Sequence, residues 1–381
     1  MLSRSFLFAF LLLLSTAISA QGFQLQYGGT NLQEAVATVS DAQGHSTLVR
    51  ETFTTGDRVR IRLLRTDLQG QNQQWYDVGI TGACFVHAAV PSADGKILLC
   101  GSRIAPGRSD QDALIAKISH TGEVLWSWTS DTPDEQEELR DLKQTADGGI
   151  IAAGTWRGSA DSDVLLLRTD VSGELLWQQH YGTSGEESGN GVAFDGDGYM
   201  IAGRIGGFSG DLDAYVVRTD NDGNELWWQS WGGIKKDLLK GIAHSGSVFV
   251  MAGYTDSYGP QVGVQHVRSV YMIAMNAAGD TLWTRTIGDI GAASSAEDIQ
   301  VAGNGDFFLS GQSGNSHLTK CMVMRVSPTG NQLWKRTYDI GNEDLLHRLT
   351  LLPDGGFIAA GRTFGPGSMQ AVLVRKNASG N

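Results

Sequence analysis

The stretch RTDVSGELLWQQHYG, Arg168 to Gly182, joins a polar turn (Asp170 to Gly173) to a strand-like segment anchored by Trp177 and Tyr181. Its Gly-x-x-x-Trp spacing returns at Gly122/Trp126, Gly223/Trp227, Gly279/Trp283 and Gly330/Trp334, with a version one residue longer at Gly70/Trp75. Successive tryptophans stand 51, 51, 50, 56 and 51 residues apart. A period near fifty residues marks a stacked array, because one small sheet cannot bury both of its faces and must pack against its neighbours.

Outward from Trp177, each unit reads as four strands. Glu138 to Thr145 runs into Asp147-Gly148-Gly149, a turn chemistry that suits a tight hairpin because glycine tolerates positive φ. Ile150 to Gly154 is small and apolar, and Asp163 to Arg168 carries the unbroken run Val164 to Leu167, which reads as a strand covered on both faces. The same grammar returns in DGDGYMIAGR (Asp195 to Arg204), PDGGFIAAGR (Pro353 to Arg362) and, more loosely, ADGKILLCGS (Ala93 to Ser102). Four short strands per fifty residues, with no helical periodicity beyond the first twenty residues, predict an all-β propeller of four-stranded antiparallel blades. The chain ends supply the count. Phe23 and Tyr27 repeat the spacing of Trp177 and Tyr181, while the last unit stops just after Gly380 without a fourth strand. Residues 22 to 27 are therefore expected to pair with Ala371 to Lys376, so that the N-terminal strand completes the last of seven blades.

The D-x-x-G-x-L-W and D-G-G-x-I-x-A-G motifs resemble those of secreted bacterial seven-bladed β-propeller repeat proteins, from Phe23 to Gly380. That resemblance implies a fold and export, and little chemistry. The Asp-turn-Trp element is also distantly similar to the docking motif of quinoprotein propellers, although its Asp-to-Gly spacing is one residue shorter. Those enzymes typically have eight blades and a vicinal disulfide at the cofactor, whereas this chain has no adjacent cysteines.

Residues 1–20 read as a signal peptide: Arg4, the apolar run Phe6 to Leu14, and the small-residue exit Ala17 to Ala20. The apolar run is too short for a membrane span, which needs about 20 residues. Cleavage would leave residues 21–381 as a single propeller domain, secreted or periplasmic. A net charge of -12 disfavours nucleic acid and anionic membranes as partners. Three cysteines do not make a disulfide framework. Cys84 and Cys100 fall on successive strands of one hairpin, where a diagonal pair is usually too far apart to bridge.

For function, the repeat separates packing from chemistry. Trp75, Trp126, Trp177, Trp227, Trp283 and Trp334 occur once per unit and read as inter-blade core. No metal-ligand spacing, nucleophile elbow or phosphate loop is present. Departures from the repeat gather on the face that joins second to third strands. There Glu138, Trp156, Asp163, Glu187, Asp213 and Asp237 form a candidate ligand-binding face, next to the insertion Tyr254 to Arg268. Two readings apply: a solvated acidic rim, or a sector attracting Ca²⁺ through hard oxygen ligands or a basic partner, with Trp156 as an apolar anchor. No other cofactor and no catalytic residue is assigned. The expected function is a non-enzymatic module that binds a protein or glycan. The alternatives are a carbohydrate-active hydrolase and a quinoprotein-like oxidoreductase. Non-repeated polar groups converging on the central channel would favour an enzyme.

Overall fold

The computed structural model describes residues 22–53, 59–206, 211–315, 317–365 and 367–381; the segment read as a signal peptide, residues 1–20, lies outside them. The described chain is all β. After β1 (Phe23–Tyr27), the first meander is β2 (Leu32–Asp41), β3 (Gly44–Thr52), β4 (Val59–Thr66) and β5 (Gln74–Asp77). The second is β6 (Ala83–Pro91), β7 (Ile97–Ile104), β8 (Asp112–Ile118) and β9 (Val124–Thr129). The third is β10 (Gln136–Gln144), β11 (Ile150–Arg157), β12 (Ser162–Thr169) and β13 (Leu175–Tyr181), and the fourth β14 (Glu186–Phe194), β15 (Tyr199–Gly206), β16 (Leu212–Thr219) and β17 (Glu225–Trp231). In the fifth, β18 (Asp237–Ser245) and β19 (Val248–Thr255) lead into a small ribbon, β20 (Gln261–Val262) and β21 (Gln265–His266), before β22 (Ser269–Met275) and β23 (Thr281–Ile287). The sixth is β24 (Ala293–Val301), β25 (Phe307–Asn315), β26 (Leu318–Val326) and β27 (Gln332–Tyr338). Last come β28 (Leu345–Leu351), β29 (Phe357–Gly365) and β30 (Ser368–Lys376).

Five of these groups are separate four-stranded sheets, rather than the seven separate blades expected. The third and fourth meanders share one eight-stranded sheet, because a single parallel bridge joins Ser162 at the start of β12 to Glu186 at the start of β14. The fourth partner of β28, β29 and β30 is β1, which runs antiparallel to β30 with Phe23 opposite Arg375 and Tyr27 opposite Ala371.

Each repeated motif has a physical task. The glycine of one Gly-x-x-x-Trp turn sits on the tryptophan of the preceding meander: Gly173 on Trp126, Gly223 on Trp177 and Gly330 on Trp283. All three have φ between 81° and 88°, where a side chain would be strained as well as in collision with the indole. Phe23 and Leu25 of β1 take the tryptophan's place beneath Gly70. The Arg near the end of the third strand grips the Asp of the first hairpin: Arg168 to Asp147 at 2.6 and 2.7 Å, Arg218 to Asp195 at 3.0 Å, and Arg375 to Asp354 at 2.6 Å. Buried aliphatic clusters then fill the space between neighbouring meanders. One sets Ile151, Ala153, Val164 and Leu166 against Val192, Ile201, Tyr215 and Val217; another sets Ala360, Ala371 and Leu373 against Ala35, Val49 and Leu64. Each valine, leucine or isoleucine among them contributes about 1.5–3 kcal/mol on burial.

Cys84, Cys100 and Cys321 are free and buried. Cys84 belongs to the cluster on one face of its sheet and Cys100 to the cluster on the other, so the hairpin that carries both cannot bridge them.

Candidate functional site at the channel mouth

The first strands of the seven meanders touch one another in chain order, β2 with β6, then β10, β14, β18, β24 and β28, and β28 touches β2. They enclose a central channel, and all seven carry a β-bulge in the same place. The residues squeezed out of the ladder are Val36, His87, Arg140 and Asn190, followed by Lys240, Glu297 and His347. A bulge re-aims its extra residue, and every one of the seven lines a single cavity of about 290 Å³ at the channel mouth, together with Glu34, Arg50, Arg348 and Arg362.

A glycine faces the bulge in six of the seven meanders; in the first, Val49 lies opposite Ala35. In six second strands, Gly101, Gly154, Gly203, Gly253, Gly311 and Gly361 lie opposite the residue before the bulge, and an added methyl would collide with a backbone carbonyl of the first strand. The two strands approach there as only glycine permits.

The lining is charged and internally paired. His347 Nε2 lies 2.5 Å from Glu34 Oε1; Arg50 grips the other oxygen, and Arg362 stands 3.7 Å away. Burial opposes the charge on Glu34, yet His347, Arg50 and Arg362 together hold its carboxyl well below the usual carboxylate range. The second cluster repeats this chemistry: His87 Nε2 lies 2.5 Å from Glu138 Oε1, and Arg140 lies 2.5 Å from Glu138 Oε2. Burial again opposes the charge, and His87 with Arg140 brings Glu138 down to about 2. Burial also pushes the His87 ring toward its neutral form, against the pull of Glu138. His347 Nε2 is hydrogen-bonded to Glu34, whereas His87 Nε2 lies close to Glu138 without a well-directed hydrogen bond; Nδ1 of either ring meets no partner among the described residues. Lys240 faces Glu297 loosely at 3.8 Å, and Asn190 donates to the Leu239 carbonyl at 2.8 Å. The mouth thus sets five cations (Arg50, Arg140, Lys240, Arg348, Arg362) against three carboxylates (Glu34, Glu138, Glu297), on a chain of net charge -12.

Beneath this layer Arg348 crosses the channel from β28. Its guanidinium lies 3.3 Å from Asp141 on β10 and 3.4 Å from Asp298 on β24, and donates at 2.5 Å to the Arg140 carbonyl. Both aspartates also accept backbone N–H groups, from Val192 at 3.1 Å and Leu349 at 3.0 Å. A second cavity, lined by Thr38, Lys143, Gln300 and Thr350, opens on the other side of Arg348.

Of the residues expected to bind ligand, Glu138 alone belongs to the channel. Trp156 is half-buried against the core, stacked on His180 at 4.8 Å and donating to Glu135 at 2.7 Å. The others form inter-blade pairs, each setting a half-buried aspartate beside a buried acid. Asp163 on β12 approaches Glu187 at the start of β14, both reaching toward Gly182; Glu187 is fully buried and accepts from Thr183 at 2.6 Å. Asp213 on β16 feels the charge of Asp237 at the start of β18, itself fully buried and held by Gly233 N and Ser257 Oγ at 2.8 and 2.7 Å. In each of these four acids one oxygen has no partner. Among the described residues no group of three or more His, Cys, Asp or Glu is arranged to hold a metal ion.

No protein-family model matches this chain, and no curated protein matches it. Solved structures do. The β-propeller domain of the Trilobed protease from Pyrococcus furiosus aligns over 92% of this chain and 97% of its own, with a TM-score of 0.53 and 9% identity. The polysaccharide lyase Uly1 aligns over 93% and 99%, with a TM-score of 0.54 and 10% identity. The acylaminoacyl peptidase of Pyrococcus horikoshii aligns over 91% of this chain and 51% of its own, with a TM-score of 0.51 and 10% identity. At such identities the likeness establishes a β-propeller fold.

Proposed function

We propose that the chain is a closed seven-bladed propeller whose working site is the channel mouth, where carboxylate-held histidines perform acid–base chemistry on an oxygen-rich, saccharide-like ligand. In the count of blades, the eight-stranded sheet stands for two, and the β1–β30 pairing is the closure. The observation that carries the functional reading is the set of seven bulges: one architectural device, repeated without exception, presents seven side chains that do not follow the repeat. Structural positions in this chain repeat, as Trp126, Trp177 and Trp227 do; the channel positions run through valine, histidine, arginine, asparagine, lysine and glutamate. A carboxylate-oriented imidazole with a free second nitrogen is a general acid–base arrangement. Enzymes that act on peptides and on a polysaccharide are among the proteins of similar fold.

The binding-module reading uses the same cavity and differs in one outcome, binding without turnover. Export by residues 1–20, and uptake of Ca²⁺ or a basic partner at the inter-blade carboxyl pairs, are retained as proposals. The test is calorimetric and enzymatic together, with a panel of neutral and acidic oligosaccharides against the wild type, Lys240→Ala, His87→Ala and the triple variant Asp163→Asn/Asp213→Asn/Glu187→Gln. Lys240→Ala should weaken binding at least about tenfold, as loss of a charged hydrogen bond does, while the triple variant leaves saccharide binding unchanged. The opposite pattern would move the site to the inter-blade pairs.

A further inference from the structure

We infer that the ligand is a uronate-bearing saccharide and that the site cleaves it by β-elimination, with His87 as base, His347 as acid, and the arc Arg140, Asn190 and Lys240 holding the sugar carboxylate. This rests on the acid–base reading above and names its substrate class and reaction.

The order of residues around the channel is the first argument. His347, Val36 and His87 come from consecutive blades and place two imidazoles on either side of an apolar side chain. Arg140, Asn190 and Lys240 come from the next three blades and present nitrogen groups toward the same cavity. A seven-membered ring puts Val36 across from Asn190 and Lys240, so an acid–base arc faces a hydrogen-bond-donor arc. A carboxylate seated on the donor arc presents its α-carbon to the histidines.

Exclusion is the second argument. Among the described residues that line the cavity there is no serine, threonine, cysteine or tyrosine, so none of them offers a hydroxyl or thiol as a nucleophile. Glycoside hydrolysis needs one carboxyl kept protonated as the acid, whereas Glu34 and Glu138 are each clamped between a histidine and arginine and stay ionised. Beside Glu297, which faces Lys240 loosely at 3.8 Å, the groups that remain are two imidazoles and a set of cations. Elimination from a uronate uses those. His87 Nδ1 takes the proton from C5, which is acidified once the adjacent carboxylate is neutralised; the electron pair forms the C4=C5 double bond; the C4–O bond breaks; and the departing oxygen takes the proton from His347 Nδ1. No water, oxidant or reductant is consumed. His87 leaves the step protonated and His347 neutral, and exchange with solvent restores both.

The experiment incubates the purified chain with galacturonate, glucuronate and mannuronate oligosaccharides and a neutral cello-oligosaccharide control. Ultraviolet absorbance follows the conjugated double bond, and mass spectrometry separates dehydrated from hydrated products. Wild type should give an unsaturated product from at least one uronate series and none from the neutral control. His87→Ala and the near-isosteric His87→Asn should both lower kcat at least about 100-fold, the scale of a general base, with calorimetric binding retained. Lys240→Met should raise KM for the acidic substrate. Hydrated products alone would overturn elimination while leaving the acid–base reading intact. Binding of uronates that is sensitive to Lys240→Met but unaccompanied by turnover would overturn elimination in favour of the module. Neither binding nor turnover with any of these saccharides would overturn the saccharide reading of the site as well.

Discussion

Arg348 is the residue on which the interior of the channel depends most. Asp141 and Asp298 are nearly fully buried, and the guanidinium they share, with Lys143 2.8 Å from Asp141, offsets the two carboxylates there. Removing one partner of a buried charge cluster typically costs about 3–5 kcal/mol, because the remaining charges stay buried. Arg348→Met should therefore destabilise by roughly that amount in chemical denaturation, and adding Asp141→Asn and Asp298→Asn should recover much of it; a triple variant no better than the single would show that packing, not charge, sets the loss. Glycine matters at the same scale where strands touch. Gly154→Ala forces a methyl against the Glu138 carbonyl, and overpacking of this kind costs about 1–3 kcal/mol. The exposed turn residue Gly196 has open space around it, so Gly196→Ala should lose less in the same denaturation assay, only the strain of positive φ.

At the scale of elements, the junction between one blade's third strand and the next blade's first strand has a pH dependence of its own. Burial, reinforced by a neighbouring acid, raises the carboxyls of Asp163 and Asp213 above the ordinary aspartate range. A folded-state pKa above the unfolded one contributes stability that is present at acid pH and lost as pH rises through the folded value. Asp163→Asn/Asp213→Asn should accordingly raise the melting temperature at neutral pH and match the wild type more closely near pH 4; a lower melting temperature across that range would refute the sign. Glu138 acts oppositely, its contribution being present above the ordinary glutamate range and fading as pH falls toward about 2. These elements also show what could be read from residues alone. The four-strand grammar, the turn glycines and the β1–β30 register are written in local spacing, since hairpin chemistry and period-two patterning act over a few residues. Asp163, Glu187, Asp213 and Asp237 read as one candidate face because departures from the repeat gather beside the second-to-third-strand loops, and the structure sets them in pairs between neighbouring meanders. The channel residues were missed because no pattern repeats among them. Their nearest signal lay one strand away, in the glycine that faces the bulge in six of the seven meanders.

For the whole molecule, the N-terminal strand is the test of closure. Phe23 and Leu25 pack on Gly70, and Tyr27 joins the cluster between the last and first meanders. Deleting Gln21 to Gly28 exposes the β30 edge and removes three apolar side chains worth about 1.5–3 kcal/mol each, so the melting temperature should fall by many degrees or the protein should aggregate; unchanged thermal stability would refute closure by this strand. The arginine that spans the channel has one more consequence. Since Arg348 floors the upper cavity, a polymer cannot be threaded through the propeller from one face to the other. Whatever the mouth accepts must arrive tip first and back out by the same opening. On the proposed saccharide-cleaving reading, a long polysaccharide would shorten one terminal unit at a time, its viscosity declining slowly while small products accumulate from the first minutes.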